Sequence, residues 1–189
     1  MRSLLLGLAG ALALLGATPG AARDTDPPQS LYHLDATLVS QAGQRQGLDL
    51  YRGHPVLVSM FYGSCQATCP LIIDTLRATE RALDPARRAA LRVLLVSFDP
   101  ERDTPAALQD IAATRHIDTT RWTLAQADSA TVRTLAALLN VQYRRLPSGE
   151  FSHSTQIVLL SAQGEIQAST AVLGHADPAL LTKLGQSTK

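Results

Sequence analysis

An α/β fold built on a largely parallel sheet is what this sequence predicts, and three observations carry the prediction. Two apolar runs, residues 56–62 and 91–98, are rich in β-formers and almost uninterrupted, as strands buried on both faces are. Each leads into a segment with apolar residues at helical spacing, and strands separated by helices close as right-handed parallel crossovers. The pattern then changes. Residues 156–161 and 166–171 flank the turn Ser161-Ala162-Gln163-Gly164, an antiparallel-looking hairpin ahead of a closing helix.

The chain opens with Met1-Arg2-Ser3, an apolar stretch over 4–15 and small residues up to Ala22. This reads as a secretory signal peptide over residues 1–22, cleaved near Ala22, with the mature protein in the periplasm. The apolar stretch is shorter than the roughly 20 residues of a comfortable membrane span. The alternative is an uncleaved N-terminal anchor on the outer face of the inner membrane. Residues 23–33 read as a flexible lead-in and 34–189 as one domain. Within it, 36–39 and 48–51 flank Gln41-Ala42-Gly43-Gln44 as a small hairpin.

Pro70 suits the first turn of a helix whose stripe is Leu71, Ile72, Leu76 and Leu83, stopping at Asp84-Pro85. Residues 99–105 form a loop in which Asp103 or Thr104 caps a helix running to about Arg115. Residues 122–124 make a short strand. Asp128 or Ser129 starts a helix through Val132, Leu135 and Leu139. Residues 141–146 form a further strand, and Asp177-Pro178 opens the last helix, ending near Gly185. A strand feeding paired thiols and a helix, with a late hairpin and a final helix, is the thioredoxin-like arrangement. Here it carries an added N-terminal β-hairpin.

Charge is balanced, 17 basic against 16 acidic residues, and no basic run occurs. That argues against nucleic acid and anionic membrane surfaces as partners. The mature domain is large enough to fold without a disulfide. No apolar stripe is left unexplained, so the reading is a monomer.

The chain has two cysteines, Cys65 and Cys69, spaced i, i+4 where the first long strand feeds its helix. Thiolates at such a position are stabilised and open to chemistry. A structural disulfide over so short a loop adds about 2 kcal/mol in the loop-entropy model. A thiol–disulfide couple normally has two intervening residues, and here there are three. The proline that thioredoxin-like oxidoreductases place before the facing strand is also missing, since Pro147 falls too early relative to 151–155.

Two thiolates one helical turn apart can also point at one metal ion. Of the five histidines, His153 is the one the thioredoxin-like map brings to the thiols, in the loop before the facing strand. His33, His54, His116 and His175 read as exposed or capping residues. Two thiolates and one imidazole are a soft set suited to copper(I) or zinc, with copper(II) acceptable. Structural zinc needs four protein ligands, and no general base for a catalytic zinc is evident, so copper fits better. Met60 is the only methionine after the initiator, which argues against a methionine-rich copper scavenger. A peroxidase motif of Pro, three residues, Thr, two residues, Cys is absent. Counted back from Cys69 it lands on Tyr62 and Gln66, and from Cys65 on Val58 and Tyr62.

The segments Phe61-Tyr62-Gly63-Ser64-Cys65-Gln66-Ala67-Thr68-Cys69-Pro70, Ser97-Phe98-Asp99-Pro100-Glu101-Arg102-Asp103-Thr104-Pro105 and His153-Ser154 resemble, in order and spacing, the Sco/SenC family of copper chaperones for cytochrome oxidase assembly. The resemblance extends over residues 34–184. It implies that Cys65, Cys69 and His153 hold one copper per monomer, as copper(I), copper(II) or both. It implies delivery to the binuclear copper site of cytochrome c oxidase subunit II, or upkeep of that site's cysteines in reduced form. The alternative is a thiol–disulfide reductase acting through Cys65 and Cys69 without copper delivery; otherwise no classical enzyme activity is implied. A copper- or redox-sensing module would use the same residues. Further implied partners are another periplasmic copper chaperone and a thioredoxin-like reductant. Two departures stand out. Gln66 replaces a proline common in the family, which alters loop stiffness and not the ligand set. Many members are also tethered by one helix, whereas this chain reads as released. The 99–105 loop either backs the site or serves only helix capping and ion pairs of Arg102.

Overall fold

The computed structural model describes residues 26–186, so the signal segment and its cleavage point lie outside the described residues. In chain order the elements are β1 (Leu38–Ser40), β2 (Arg45–Gln46), β3 (Val56–Phe61), α1 (Thr68–Ala82), α2 (Pro85–Ala90), β4 (Arg92–Ser97), α3 (Pro105–Thr114), β5 (Trp122–Gln126), α4 (Ser129–Leu138), β6 (Tyr143–Arg145), β7 (Phe151–His153), β8 (Ile157–Leu160), β9 (Ile166–Thr170) and α5 (Pro178–Gln186). Seven strands form one sheet in the order β2-β1-β5-β4-β3-β8-β9. β3, β4 and β5 run parallel, while β8 runs antiparallel to β3 and β9 to β8. This is the thioredoxin-like α/β fold that the alternation of elements predicts.

The centre of the sheet explains its composition. Every residue of β3 and β8 is buried, and so is every residue of β4 after Arg92. Such strands have no solvent face to alternate toward and read as continuous apolar runs. Ile72 and Leu76 of α1, Leu108 of α3, Leu135 of α4 and Leu180 and Leu184 of α5 complete the same core. Side-chain caps fix where three helices begin. Asp84 accepts the Arg87 N–H, the Thr104 hydroxyl accepts the Ala107 N–H, and Asp128 accepts the Ala130 and Thr131 N–H groups. No helix among the described residues is long and apolar enough to cross a membrane.

Four local features differ from the sequence expectation. The hairpin's second strand is Arg45–Gln46, and Leu48–Tyr51 is a 3-10 turn. Its period of three buries Leu48 and Tyr51 together and leaves Leu50 61% exposed. Asp84-Pro85 ends one helix and also starts another, α2, because the same pair supplies a cap and a first-turn proline. Residues 151–153 are a strand, not a loop, paired with β6 in a separate two-stranded ribbon. Ser30 to His33, within the expected lead-in, are packed down: Leu31 and Tyr32 are buried, and the Ser30 hydroxyl donates to the Gln163 carbonyl.

Leu94 lies fully enclosed in the middle of β4, between β3 and β5. Leu94→Ala is expected to cost about 2–5 kcal/mol of stability, read as a lower denaturation midpoint in urea.

Candidate metal centre

The chain leaves the sheet after Phe61 and turns so that the Cys65 N–H donates to the Tyr62 carbonyl at 3.2 Å. α1 begins three residues after Cys65, and Ala67 at its cap position offers no side-chain acceptor. The sulfur of Cys65 fills that role, accepting the Cys69 N–H at 3.3 Å. One thiol therefore caps the helix that carries the other. Gly63 permits this path: a Cβ there would collide with the Asp103 carboxylate and with Ile111.

His153 arrives from the other side, at the end of β7 and opposite Tyr143 of β6. Its Nδ1 lies 3.0 Å from the Ser154 carbonyl, which can only accept. Nδ1 is therefore the protonated nitrogen, and Nε2 is left with its lone pair. The ring is packed by Phe98, centroid 5.0 Å away, and edge-on by Tyr62 at 5.8 Å. Phe98 stacks on Tyr143 and meets Phe151, so four aromatic residues enclose the histidine side of the site.

Cys65, Cys69 and His153 come together with one ligand atom each, all within 4.8 Å of one another. No other such group of His, Cys, Asp or Glu occurs among the described residues. The remaining histidines lie apart from this group. His33 and His54 bond to the carbonyls of Pro27 and Ala90, His116 sits past the end of α3, and His175 is exposed. The thiols themselves are more enclosed than their position in sequence suggests, Cys65 at 7% exposure and Cys69 at 4%. A cleft of about 20 Å³ between Tyr62, Pro70, Ile73, Ile111 and Arg115 is the space beside them. That volume holds about one water or ion and no organic substrate.

The two sulfurs are electrostatically unequal. Burial works against a thiolate at Cys65, but hydrogen bonds from the Cys69 thiol and from the Cys69 and Ala67 N–H groups, with a smaller contribution from the nearby His153 ring, bring its pKa down to about 7. At Cys69 burial pushes the pKa well above the ordinary thiol range, and its hydrogen bond to Cys65 adds to the rise. Near neutral pH Cys65 is thus about half ionised while Cys69 keeps its proton. Neither cysteine is in a disulfide.

The 99–105 loop backs the site and also caps and pairs charges. Thr104, not Asp103, caps α3. The buried Asp103 carboxylate accepts the Gly63 N–H at 2.8 Å and the Ser97 hydroxyl, tying the thiol loop to the end of β4. Burial pushes the Asp103 carboxyl pKa up, and these two donors oppose that shift. Arg102 pairs with Asp99 and donates to the Gly149 carbonyl at 2.7 Å, while Glu101 pairs with Arg145 at 3.1 Å. Tyr62 donates to Glu150 at 2.9 Å. The loop and Tyr62 therefore anchor the β6–β7 ribbon that presents His153. Sequence reasoning missed Gly63, Tyr62, Phe98 and Glu150 in these supporting parts. The available signal was the concentration of Phe and Tyr in the motif segments of a chain with only three Phe and four Tyr.

A thioredoxin-like fold bearing two thiols and an imidazole at its strand-to-helix junction defines a protein of the metal- or redox-handling thioredoxin-like class. The SCO1/SenC family pattern matches residues 25–185. The chain belongs to the SCO1/SenC family. No curated protein matches the sequence significantly. Among solved structures, it is similar to a SCO1/SenC family lipoprotein from Bacillus anthracis, with 16% identity, TM-score 0.70, and 81% of this chain and 92% of that one covered. It is also similar to Bradyrhizobium japonicum ScoI with copper bound, with 19% identity, TM-score 0.66, and 80% and 96% covered. A third is BsSco, described as a Sco-family cytochrome c oxidase assembly protein with a disulfide switch, with 19% identity, TM-score 0.65, and 80% and 90% covered. At these identities the likeness is one of fold.

A pH titration of the reduced protein, followed by thiolate ultraviolet absorbance, checks the inequality of the sulfurs. One thiolate is expected to appear as pH rises through about 7, with Cys69 remaining protonated beyond the ordinary cysteine range. Cys65→Ser removes the first step. Two equal steps near the ordinary cysteine value would contradict the geometry.

Proposed function

We propose that this chain is a periplasmic copper carrier. Its cargo is one copper ion held by Cys65, Cys69 and His153 and delivered to the binuclear copper site of cytochrome c oxidase subunit II. The observation that carries the reading is the convergence of two sulfurs and an imidazole within 4.8 Å, beside a cleft of about one ion's volume. Metal–sulfur and metal–nitrogen bonds of about 2.0–2.3 Å set ligands roughly 3.5–4 Å apart, so a small inward movement completes the site. Thiolates favour the monovalent ion, and the imidazole extends the set to the divalent one.

The residues divide the work. Cys65 is ionised first and captures the ion. Cys69 then gives up its proton, and Nε2 of His153, aimed by the Nδ1–H bond to Ser154, closes the site. Release proceeds by ligand exchange, the partner's donors replacing these in turn. Oxidation of the pair to a disulfide, with two electrons passed to an external oxidant and any proton still on the sulfurs released, removes both thiolate ligands and ends binding. Export by residues 1–22 places this chemistry in the periplasm. The lipoprotein nature of the Bacillus anthracis relative supports an exported setting.

A thiol–disulfide reductase of the same oxidase site, acting without copper delivery, is the second reading. The contrast between a readily ionised Cys65 and a strongly protonated Cys69 favours it, because it resembles an attacking and a resolving thiol. That reading has no need of His153.

An anaerobic copper titration of the reduced protein beside Cys65→Ser and His153→Ala separates the two. One-to-one binding is expected in the wild type and none of comparable affinity in Cys65→Ser. His153→Ala is expected to weaken copper(II) far more than copper(I), since two thiolates alone hold the monovalent ion. Unchanged copper(II) affinity and spectrum in His153→Ala would refute the ligand set.

Calorimetry in buffers of different ionisation enthalpy checks the proton balance. Below pH about 7 the thiols release two protons per copper, and above it one, because Cys65 is already ionised. Affinity therefore rises with pH throughout, more steeply on the acid side.

A further inference from the structure

A groove of about 710 Å³ runs between α4 and the β6–β7 ribbon and opens beside His153. We propose that it is the docking site for a carboxylate-rich segment of the protein that receives the copper; the proposal rests on the copper-carrier reading above. His153 is the ligand shared by the groove and the thiol cluster, and it is partly exposed where both sulfurs are buried. Ligand exchange by an incoming protein must begin at the ligand it can reach, so a docked partner belongs on this side.

The chemistry of the groove selects its occupant. Arg133 of α4 and Arg144 of β6 line it, over a floor that includes Ala136 and Val141. No Asp or Glu lines it. Among the described residues, neither Arg133 nor Arg144 has a carboxylate within ion-pair distance, whereas the adjacent Arg145 is held by Glu101, and Arg102 and Arg121 are held by Asp99 and Glu80. Two exposed guanidinium groups without internal partners, set in one groove, match planar carboxylates bidentately. The chain's net charge is only +1, so the attraction at this groove comes from its own lining and not from a strongly basic surface as a whole. Such a patch mainly sets encounter rate and orientation, the two things a transfer partner needs.

The test uses the metal-free copper-site domain of the same organism's oxidase subunit II as probe, with affinity measured at low and high salt. The variants are Arg133→Glu/Arg144→Glu and a control pair of equal charge change outside the groove, Arg45→Glu/Arg81→Glu. The wild type is expected to bind the probe, more weakly at high salt. The groove pair is expected to lose about tenfold or more in affinity while still binding copper one-to-one, and the control pair is expected to bind the probe as the wild type does. Arg133→Gln/Arg144→Gln, which perturbs folding least, is expected to show a smaller loss in the same direction. Unchanged affinity in the groove pair, an equal loss in the control pair, or no binding of the probe by the wild type overturns the proposal. Probe binding through the groove by a wild type that takes up no copper would overturn the carrier reading and leave the groove assignment standing.

Discussion

A single buried carboxylate holds the functional end of this protein together. Asp103 sits where the thiol loop crosses the end of β4, and it takes a hydrogen bond from Gly63 and another from Ser97. Burying a carboxylate is costly unless its oxygens find donors, and both donors here come from elements that must stay in register. The same 99–105 loop reaches outward through Arg102 and Glu101 to the ribbon that carries His153. Thiols and imidazole are thus positioned from one short stretch of chain. That stretch borders the candidate site without being part of it.

Much of this was legible in sequence because it depends on local pattern. The buried strands 56–61 and 92–97 declare themselves by unbroken apolar character, and the helices by their caps and first-turn prolines. The spacing of Cys65 and Cys69 needs no tertiary information, and His153 follows from topology once the fold is known. The features that were hidden depend on distant partners. β7 has three residues and exists through its pairing with β6 and its aromatic contacts, neither of which leaves a periodic trace. Residues 48–51 are apolar enough for a strand, but a period of three suits the two buried side chains better. The enclosure of the thiols is likewise invisible locally, since it is made by side chains such as Ile111 that come from another helix.

The use of a sulfur as a helix cap links fold and chemistry. At an ordinary helix start the acceptor is a hydroxyl or a carboxylate. Here Cys65 accepts the Cys69 N–H, so the group that stabilises the first turn of α1 is also a candidate metal donor. Two of the hydrogen bonds that lower the Cys65 pKa, from the Ala67 and Cys69 N–H groups, therefore belong to the helix start, and the enclosure of Cys69 under the same turn keeps its proton in place. Burial and the helix start together make two identical side chains chemically different.

The β6–β7 ribbon has strand pairing only with itself, apart from the seven-stranded sheet. Its links to the body of the protein run through side chains, at Tyr62–Glu150, Arg102–Gly149 and Glu101–Arg145. The candidate third donor is thereby presented by an element outside the central sheet, tied to it by the aromatic packing of Tyr62 and Phe98 and by the 99–105 loop. A substitution at 153 therefore meets the candidate site first, and reaches the central sheet only through the aromatic side chains that pack the ring.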